Sequence, residues 1–226
     1  MTTYKQDFLK IFRNLRRGPC RDRRDWQVFA DFCEAAALAV SQSVMPTDER
    51  EQRYMAIVKR SPEAMRIYPK LFAITVDALN DIPHDFLGDI FQELGLNDHW
   101  LGQYFTPPLV ARLLVSVTEA EDRQLIERDG FITLWEPCCG AGATIIAHAV
   151  ALKDMGFDPR KVMRVLATDI APTAAHMCYA QLWALQIPAE VRIGDSISGD
   201  IYERFYTQVL NNRGERKASE LRGIDS

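Results

Sequence analysis

Apolar residues recur at intervals of three and four positions through residues 1–100, and this spacing predicts a helical region. One helix is predicted over 25–44, and another begins at Ser61-Pro62. Pro69 should kink or divide that second helix, because proline cannot supply a helical N–H. A tight apolar stripe over 85–94 predicts the last helix of the region.

The pattern changes after residue 100, where apolar runs alternate with helical segments. The apolar run at 131–135 predicts a buried strand, and the segments at 162–168 and 189–193 predict a second and a third strand. The segments at 143–151 and 171–186 predict helices between them. This alternation is typical of a parallel sheet. We therefore predict an α/β fold in which a helical N-terminal region precedes a parallel sheet.

The same change of pattern divides the chain into three regions. Residues 1–100 are the helical N-terminal region, residues 101–210 the α/β domain, and residues 211–226 a polar tail that is predicted to be disordered. An acidic, polar stretch at 119–130 leads into the first strand. That strand is expected to lie at the centre of the complete sheet.

Two interpretations fit the end of the α/β domain. Residues 205–210 could form a fourth strand. Alternatively, residues 201–210 form a helix whose apolar stripe consists of Ile201, Tyr202, Phe205, Tyr206, Val209 and Leu210. The spacing favours the helix. The first strand would then need cover for its free edge, from residues 205–210, from the N-terminal helices or from another chain.

The first strand leads into the segment Glu136-Pro137-Cys138-Cys139-Gly140-Ala141-Gly142, which we call the glycine loop. Its two glycines allow the backbone to approach a ligand closely, and the helix that follows presents free N–H groups. A glycine pair alone is a weak signal. The acid and proline at its start, and the segments around it, strengthen the prediction of a ligand site.

Acidic residues end all three predicted strands: Glu136, Asp169 and Asp195. In an open parallel sheet, ligands bind across the carboxyl ends of the strands. A carboxylate at Asp169 can accept both hydroxyls of a ribose, and one at Asp195 can accept from the exocyclic amine of an adenine ring. The alternative is that these acids cap the helices that follow. Three acids in register with a glycine loop favour the ligand site.

Composition is ordinary for a globular protein, with 47% hydrophobic and 26% charged residues in 226. No apolar run is long enough to span a bilayer, and the N-terminus has no apolar signal region, so a cytoplasmic location is expected. The five cysteines are odd in number and include no Cys-x-x-Cys pair, which favours reduced thiols over a disulfide framework or a zinc site.

A net charge of −4 gives the whole molecule no general attraction to nucleic acid, so any DNA contact must come from a local patch. The candidate is a run of seven basic residues with a single acid, Asp22, among them. This basic cluster consists of Lys10, Arg13, Arg16, Arg17, Arg21, Arg23 and Arg24. It either contacts phosphates or forms a solvated surface paired with acids elsewhere.

Four segments resemble the N-6 adenine DNA methyltransferases of bacterial restriction–modification systems, especially the modification subunits of type I systems. Gly102-Gln103-Tyr104-Phe105-Thr106-Pro107 is similar to the family's first motif, and the glycine loop to its acid-Pro-x-x-Gly-x-Gly motif. Thr168-Asp169-Ile170 and Gly194-Asp195-Ser196 match the two acidic positions that follow. The resemblance covers roughly residues 80–200.

The resemblance implies a Rossmann-like methyltransferase sheet and S-adenosylmethionine as cofactor. Thr106 and its neighbours would hold the methionine carboxylate, and Glu136 with the glycine loop would hold the methionine ammonium group and backbone. Asp169 would take the ribose hydroxyls and Asp195 the adenine amine. The cofactor-binding residues implied in this way are Tyr104, Phe105, Thr106, Pro107, Glu136, Pro137, Cys138, Gly140, Gly142, Asp169, Ile170 and Asp195.

The sequence departs from the family at the catalytic motif, an Asn/Asp-Pro-Pro-aromatic turn that holds the flipped adenine. No Pro-Pro follows Pro108, and Asn212 is only a weak candidate for the motif's first residue. We expect an S-adenosylmethionine-binding protein that does not methylate alone and that modulates DNA modification or restriction. The alternatives are an active methyltransferase completed by a partner chain or second copy, and a decayed fragment that binds nothing.

Overall fold

The computed structural model describes residues 3–96, 106 and 108–207. Tyr104, Phe105, Pro107, Asn212 and the predicted tail lie outside these residues. Within them the chain forms helices and strands in the order α1 (Thr3–Arg17), α2 (Asp25–Gln42), α3 (Asp48–Arg60), α4 (Pro62–Met65), α5 (Tyr68–Asp81), α6 (Phe86–Glu93), α7 (Pro108–Ser116), α8 (Glu119–Asp129), β1 (Ile132–Glu136), α9 (Ala143–Asp154), α10 (Pro159–Val162), β2 (Met163–Asp169), α11 (Pro172–Ala184), β3 (Ala189–Asp195) and β4 (Asp200–Tyr206).

The first six helices enclose an aromatic core. Phe8, Phe32 and Phe86 are fully buried, and the ring of Phe8 meets the other two edge to face at 5.5 and 5.9 Å. Pro69 lies in the first turn of α5, directly after α4, so the predicted division of that helix is confirmed. No helix among the described residues has the length and apolar character needed to cross a membrane.

The strands of the described residues form one mostly parallel sheet in the order β1-β2-β3-β4. β1, β2 and β3 are parallel, whereas β4 runs antiparallel to β3. Helix α11 packs on β2 and β3, and helices α2, α5 and α6 pack on α11. The prediction of an α/β chain with three parallel strands is confirmed, and α11 joins the sheet to the N-terminal helices.

The end of the α/β region differs from the favoured prediction, because residues 200–206 form a strand and not a helix. Ile201, Glu203 and Phe205 alternate with outward residues and face the helices, so a period of two decides the structure. Phe205 is fully buried, and its ring lies 5.0 Å from that of Tyr179 on α11. Packing against α11 therefore overrides the helical spacing.

β1 has a free edge among the described residues, as expected for a sheet that lacks the strand beside it. Among the described residues β1 pairs with β2 alone and is an edge strand, because β4 joins the opposite edge beside β3. Residues 205–206 therefore give β1 no cover. Trp135 of β1 is 57% exposed.

Helix α3 holds β4 against the rest of the protein through charged side chains. Glu203 accepts hydrogen bonds from Arg50 Nε at 3.3 Å and from Arg53 Nη1 at 2.7 Å. The guanidinium of Arg50 also bonds the carbonyl of Arg204 and lies 4.7 Å from the ring centre of Phe205. Because Arg50 is only 5% exposed, removing Glu203 would leave a buried charge without its carboxylate.

Because His176 is buried, we expect the free energy of unfolding to decrease in weak acid. Its Nε2 has no hydrogen-bond partner among the described residues, and burial, aided by the charge of Arg53, lowers the pKa of the imidazole from 6.5 to about 3. Between pH 6.5 and about pH 3, the unfolded chain binds a proton at His176 and the folded chain does not. The contribution of neutral His176 to the free energy of unfolding is therefore fully present above pH 6.5 and decreases as the pH falls below that value.

Urea unfolding at pH 7 and pH 5 measures this effect. The free energy of unfolding should fall by about 2 kcal/mol from this group alone. His176→Met should remove that part of the pH dependence, whereas His84→Met, at a half-buried position before α6, should keep it. An unchanged pH dependence in His176→Met would show that His176 is not the responsible group.

Candidate functional site

Three acidic side chains lie at the carboxyl end of the sheet. Glu136, Asp169 and Asp195 are the last residues of β1, β2 and β3, three adjacent parallel strands. The carboxyl ends of parallel strands lie at the same end of the sheet, so the three acids border one surface. The glycine loop leaves β1 at this edge and ends at the start of α9.

The glycine loop is held in place by β2. Cys139 N donates to Thr168 O at 2.9 Å, and Gly140 N donates to Asp169 Oδ2 at 2.8 Å. Gly140 and Gly142 have φ values of +54° and +99°, in the left-handed region that favours glycine. The loop therefore has a backbone conformation that its glycines permit and that Asp169 fixes.

Asp169 has a second backbone partner, since its Oδ1 accepts from Ala171 N at 2.9 Å, directly before α11. It thus orders the turn into a helix as well as the glycine loop. Burial raises the pKa of this carboxyl, against the two backbone hydrogen bonds, which lower it. A carboxylate offers about four lone-pair positions, so both oxygens keep capacity for ligand hydroxyls.

Asp195 and Glu136 are half-buried at either side of Asp169. Asp195 Oδ1 accepts from Ile197 N at 2.8 Å within a turn that leads to β4, so Asp195 does not cap a helix. Glu136 Oε1 accepts from Cys138 N at 3.4 Å. Among the described residues, the hydrogen bonds to both carboxylates come from backbone N–H groups of their own turns, so lone pairs are left that can accept from a ligand.

The remaining predicted site residues are only partly described. Thr106 is half-buried, while its neighbours in the first motif, Tyr104, Phe105 and Pro107, lie outside the described residues. Pro137 is half-buried, Cys138 is exposed, and Ile170 is 56% exposed beside Asp169. The structure therefore brings together the strand-end acids and the glycine loop but does not test the first motif.

A buried amide that sequence reasoning missed ties the glycine loop to the N-terminal helices. Gln181 Nε2 donates to Ala141 O at 2.8 Å and to Asp85 Oδ1 at 2.9 Å, and Gln181 Oε1 accepts from Leu87 N at 3.0 Å. Asp85 also caps α6 by accepting from Gly88 N. The sequence feature that could have indicated Gln181 is a single polar residue on an otherwise apolar face of α11.

The basic cluster divides into engaged and exposed side chains. Arg16 pairs with Asp25, and Arg23 pairs with Asp31 at 2.5 Å. Arg21 is exposed and lies 3.6 Å from the carboxylate of Asp22. The other exposed side chains of the cluster are Lys10, Arg13, Arg17 and Arg24. Lys10, Arg13 and Arg17 follow one another at helical spacing and share one face of α1.

Gly142 has little room for a side chain, and we expect Gly142→Ala to destabilise the protein. An added Cβ would lie 3.2 Å from Cys178 Sγ in a backbone conformation that is strained for alanine. Gly156→Ala is the matched control, because its φ of +89° is similar and no atom lies within 4 Å of the added Cβ. Urea unfolding should show a loss about 1 kcal/mol larger at Gly142. Equal losses would mean that Cys178 moves aside freely.

No group of three or more His, Cys, Asp or Glu side chains among the described residues is placed to hold a metal ion. Within the described part of the chain, the three acids at the site accept hydrogen bonds from backbone N–H groups. Comparisons with protein-family models, with curated proteins and with solved structures gave no match.

Proposed function

We propose that this protein binds S-adenosylmethionine at the carboxyl edge of its sheet, on a partial Rossmann-like methyltransferase fold. One observation carries the proposal: Asp169 fixes the glycine loop through Gly140 N while standing between Glu136 and Asp195 on adjacent parallel strands. A loop with close backbone approach and carboxylates at successive strand ends suits a nucleoside with a zwitterionic side chain.

Each part of the cofactor finds a group of suitable chemistry. The ribose hydroxyls would donate to Asp169, and the adenine amine would donate to Asp195. The methionine ammonium group would meet Glu136 and the carbonyls of the glycine loop, and the methionine carboxylate would meet Thr106. S-adenosylmethionine carries no phosphate, which agrees with a glycine loop that lacks the Lys-Ser/Thr of triphosphate sites.

We further propose that residues 1–226 act as an accessory or modulator in DNA modification or restriction. The Asn-Pro-Pro-aromatic turn that would position and stack a flipped adenine does not occur in this sequence. DNA is the proposed partner of the exposed side chains in the basic cluster, because five cations on an otherwise acidic protein concentrate positive charge.

A second function is favoured by the exposed edge of β1. Since β1 has no strand on its outer side among the described residues, a partner chain or second copy could add one there. In that arrangement the chain would form part of an active adenine methyltransferase.

A transfer assay separates the two functions. We expect no methyl transfer from labelled S-adenosylmethionine to adenine-rich duplex DNA by residues 1–226 alone, because the target amine is not held in line with the methyl group. Transfer that Asp195→Ala abolishes would contradict the accessory role. Transfer that requires an added partner would favour the completed enzyme.

A further inference from the structure

A cavity of about 480 Å³ lies at the amino end of the sheet, away from the strand-end acids. Its walls come from the last turns of α5 and α9, from residues 156–160 between α9 and β2, and from the turn that joins α11 to β3. Protein interiors contain few voids larger than a water molecule, whereas pockets for small ligands measure about 300–1,000 Å³. The cavity therefore has the size of a ligand site.

Most of the cavity wall is apolar. Leu79, Ala149 and Ile187 are buried and form its inner part, while Phe157 and Leu185 are half-buried nearer the opening. These side chains belong to the N-terminal helices and to the α/β region alike. A wall of this kind suits the alkyl or aryl body of a small molecule.

The charged side chains of the lining are two cations and one acid, so one positive charge remains. Arg160 pairs with the acid, Asp158, through Nε to Oδ1 at 2.8 Å and Nη2 to Oδ2 at 3.1 Å. Lys153 lines the cavity and forms no ion pair among the described residues. Asp81 and Asp154, which directly follow lining residues in the chain, do not line it. The cavity thus combines an apolar wall with a cation that can receive an anionic head group.

We propose that this cavity binds a small amphipathic carboxylate, whose apolar body contacts the wall and whose carboxylate accepts hydrogen bonds from the ammonium group of Lys153. A cationic head group would be repelled by Lys153, and a neutral one would gain no charge-assisted hydrogen bond. The site is distinct from the proposed cofactor site, because Gly142 and Lys153 lie about 16 Å apart along the axis of α9. The inference therefore does not rest on cofactor binding.

Three probes with the same alkyl chain test the charge of the head group: octanoate, octanol and octylammonium. Calorimetric titration of the folded protein should show saturable binding of octanoate, with an affinity about fivefold higher than that of octanol. Octylammonium should bind more weakly than octanol. Equal affinities, tightest binding of octylammonium, or no binding of any probe would overturn the proposal.

Methyl NMR spectra locate the bound probe. Octanoate should shift the methyl signals of Val150 and Ile187, which line the cavity, and should leave that of Ile170 beside the strand-end acids unchanged. Leu109 and Leu113 on α7 are exposed apolar side chains that could attract an alkyl chain unspecifically. Shifts confined to these two leucines would place octanoate outside the cavity and contradict the proposal.

Two variants separate the roles of charge and space. Lys153→Met should weaken octanoate binding about fivefold and leave octanol binding unchanged, whereas Lys70→Met, at the far end of α5, should alter neither. Val150→Phe places a ring in the cavity and should weaken both probes roughly tenfold. Octanoate binding that Lys153→Met leaves unchanged would exclude Lys153 as the partner of the carboxylate and overturn the assignment.

Discussion

Asp169→Ala should weaken the binding of S-adenosylmethionine by about 1–3 kcal/mol, a roughly 5- to 150-fold rise in the dissociation constant. Two effects combine. The ribose hydroxyls lose a charged acceptor, and Gly140 N and Ala171 N lose the oxygens that fix the glycine loop and the turn into α11. Isothermal titration calorimetry of the two proteins measures the difference.

Asp158→Ala provides the matched control for this experiment. Asp158 also accepts from a backbone N–H, that of Arg160, but it lies before β2, at the opposite end of that strand from Asp169. This variant should bind the cofactor like the wild type. Equal affinity of Asp169→Ala and the wild type would remove Asp169 from the site, while equal weakening of both variants would indicate general loosening of the fold.

Gln181→Leu should lower the free energy of unfolding by about 3 kcal/mol or more. The leucine leaves Ala141 O, Leu87 N and the buried carboxyl of Asp85 without a shared partner, and each unsatisfied group costs about 1–3 kcal/mol. For a chain of this size, the melting temperature should fall by roughly 6–12 °C.

Gln124→Leu makes the same chemical change on the exposed surface of α8 and should leave the melting temperature almost unchanged. Because Gln181 contacts the glycine loop, Gln181→Leu should also weaken cofactor binding, which Gln124→Leu should not. Equal melting of the two variants would mean that the buried groups find other partners, and that Gln181 does not join the loop to the N-terminal helices.

Periodicity predicted most of the elements because most of them bury one clear face. The strand at 163–169 is almost fully buried, and it contains the apolar stretch Val165-Leu166-Ala167. The helix at 172–184 has mostly small and apolar residues, as expected for an element between a sheet and other helices. Once the ends of the strands are predicted, the positions of the acids at those ends are predicted as well.

Helix α8 shows where periodicity fails. Its residues are mostly charged, so no apolar stripe predicts it, although three acids in its first turn and Gly130 at φ +81° after its end favour a helix there. For strand β4 the prediction was wrong for the opposite reason, because its apolar positions fit two periods. Ile201 and Phe205 fit both a period of two and a helical spacing, and contacts from α3 and α11 decide between them.

Strand order and buried polar contacts are not encoded in local patterns. The sequence of β1 is compatible with a central or an edge position, and only the pairing of β4 with β3 settles its place among the described residues. The contact between Gln181 and Asp85 joins residues 96 positions apart. A polar residue within an apolar helix signals such a contact but does not identify its partner.

A calorimetric titration of folded residues 1–226 with S-adenosylmethionine measures cofactor binding most directly. We predict saturable binding with about one cofactor per chain, displaced by S-adenosylhomocysteine and not by adenosine triphosphate, since the glycine loop lacks the Lys-Ser/Thr of a triphosphate site. A folded protein that gives no binding heat at high cofactor concentration, and no protection against thermal unfolding, would contradict the proposed function.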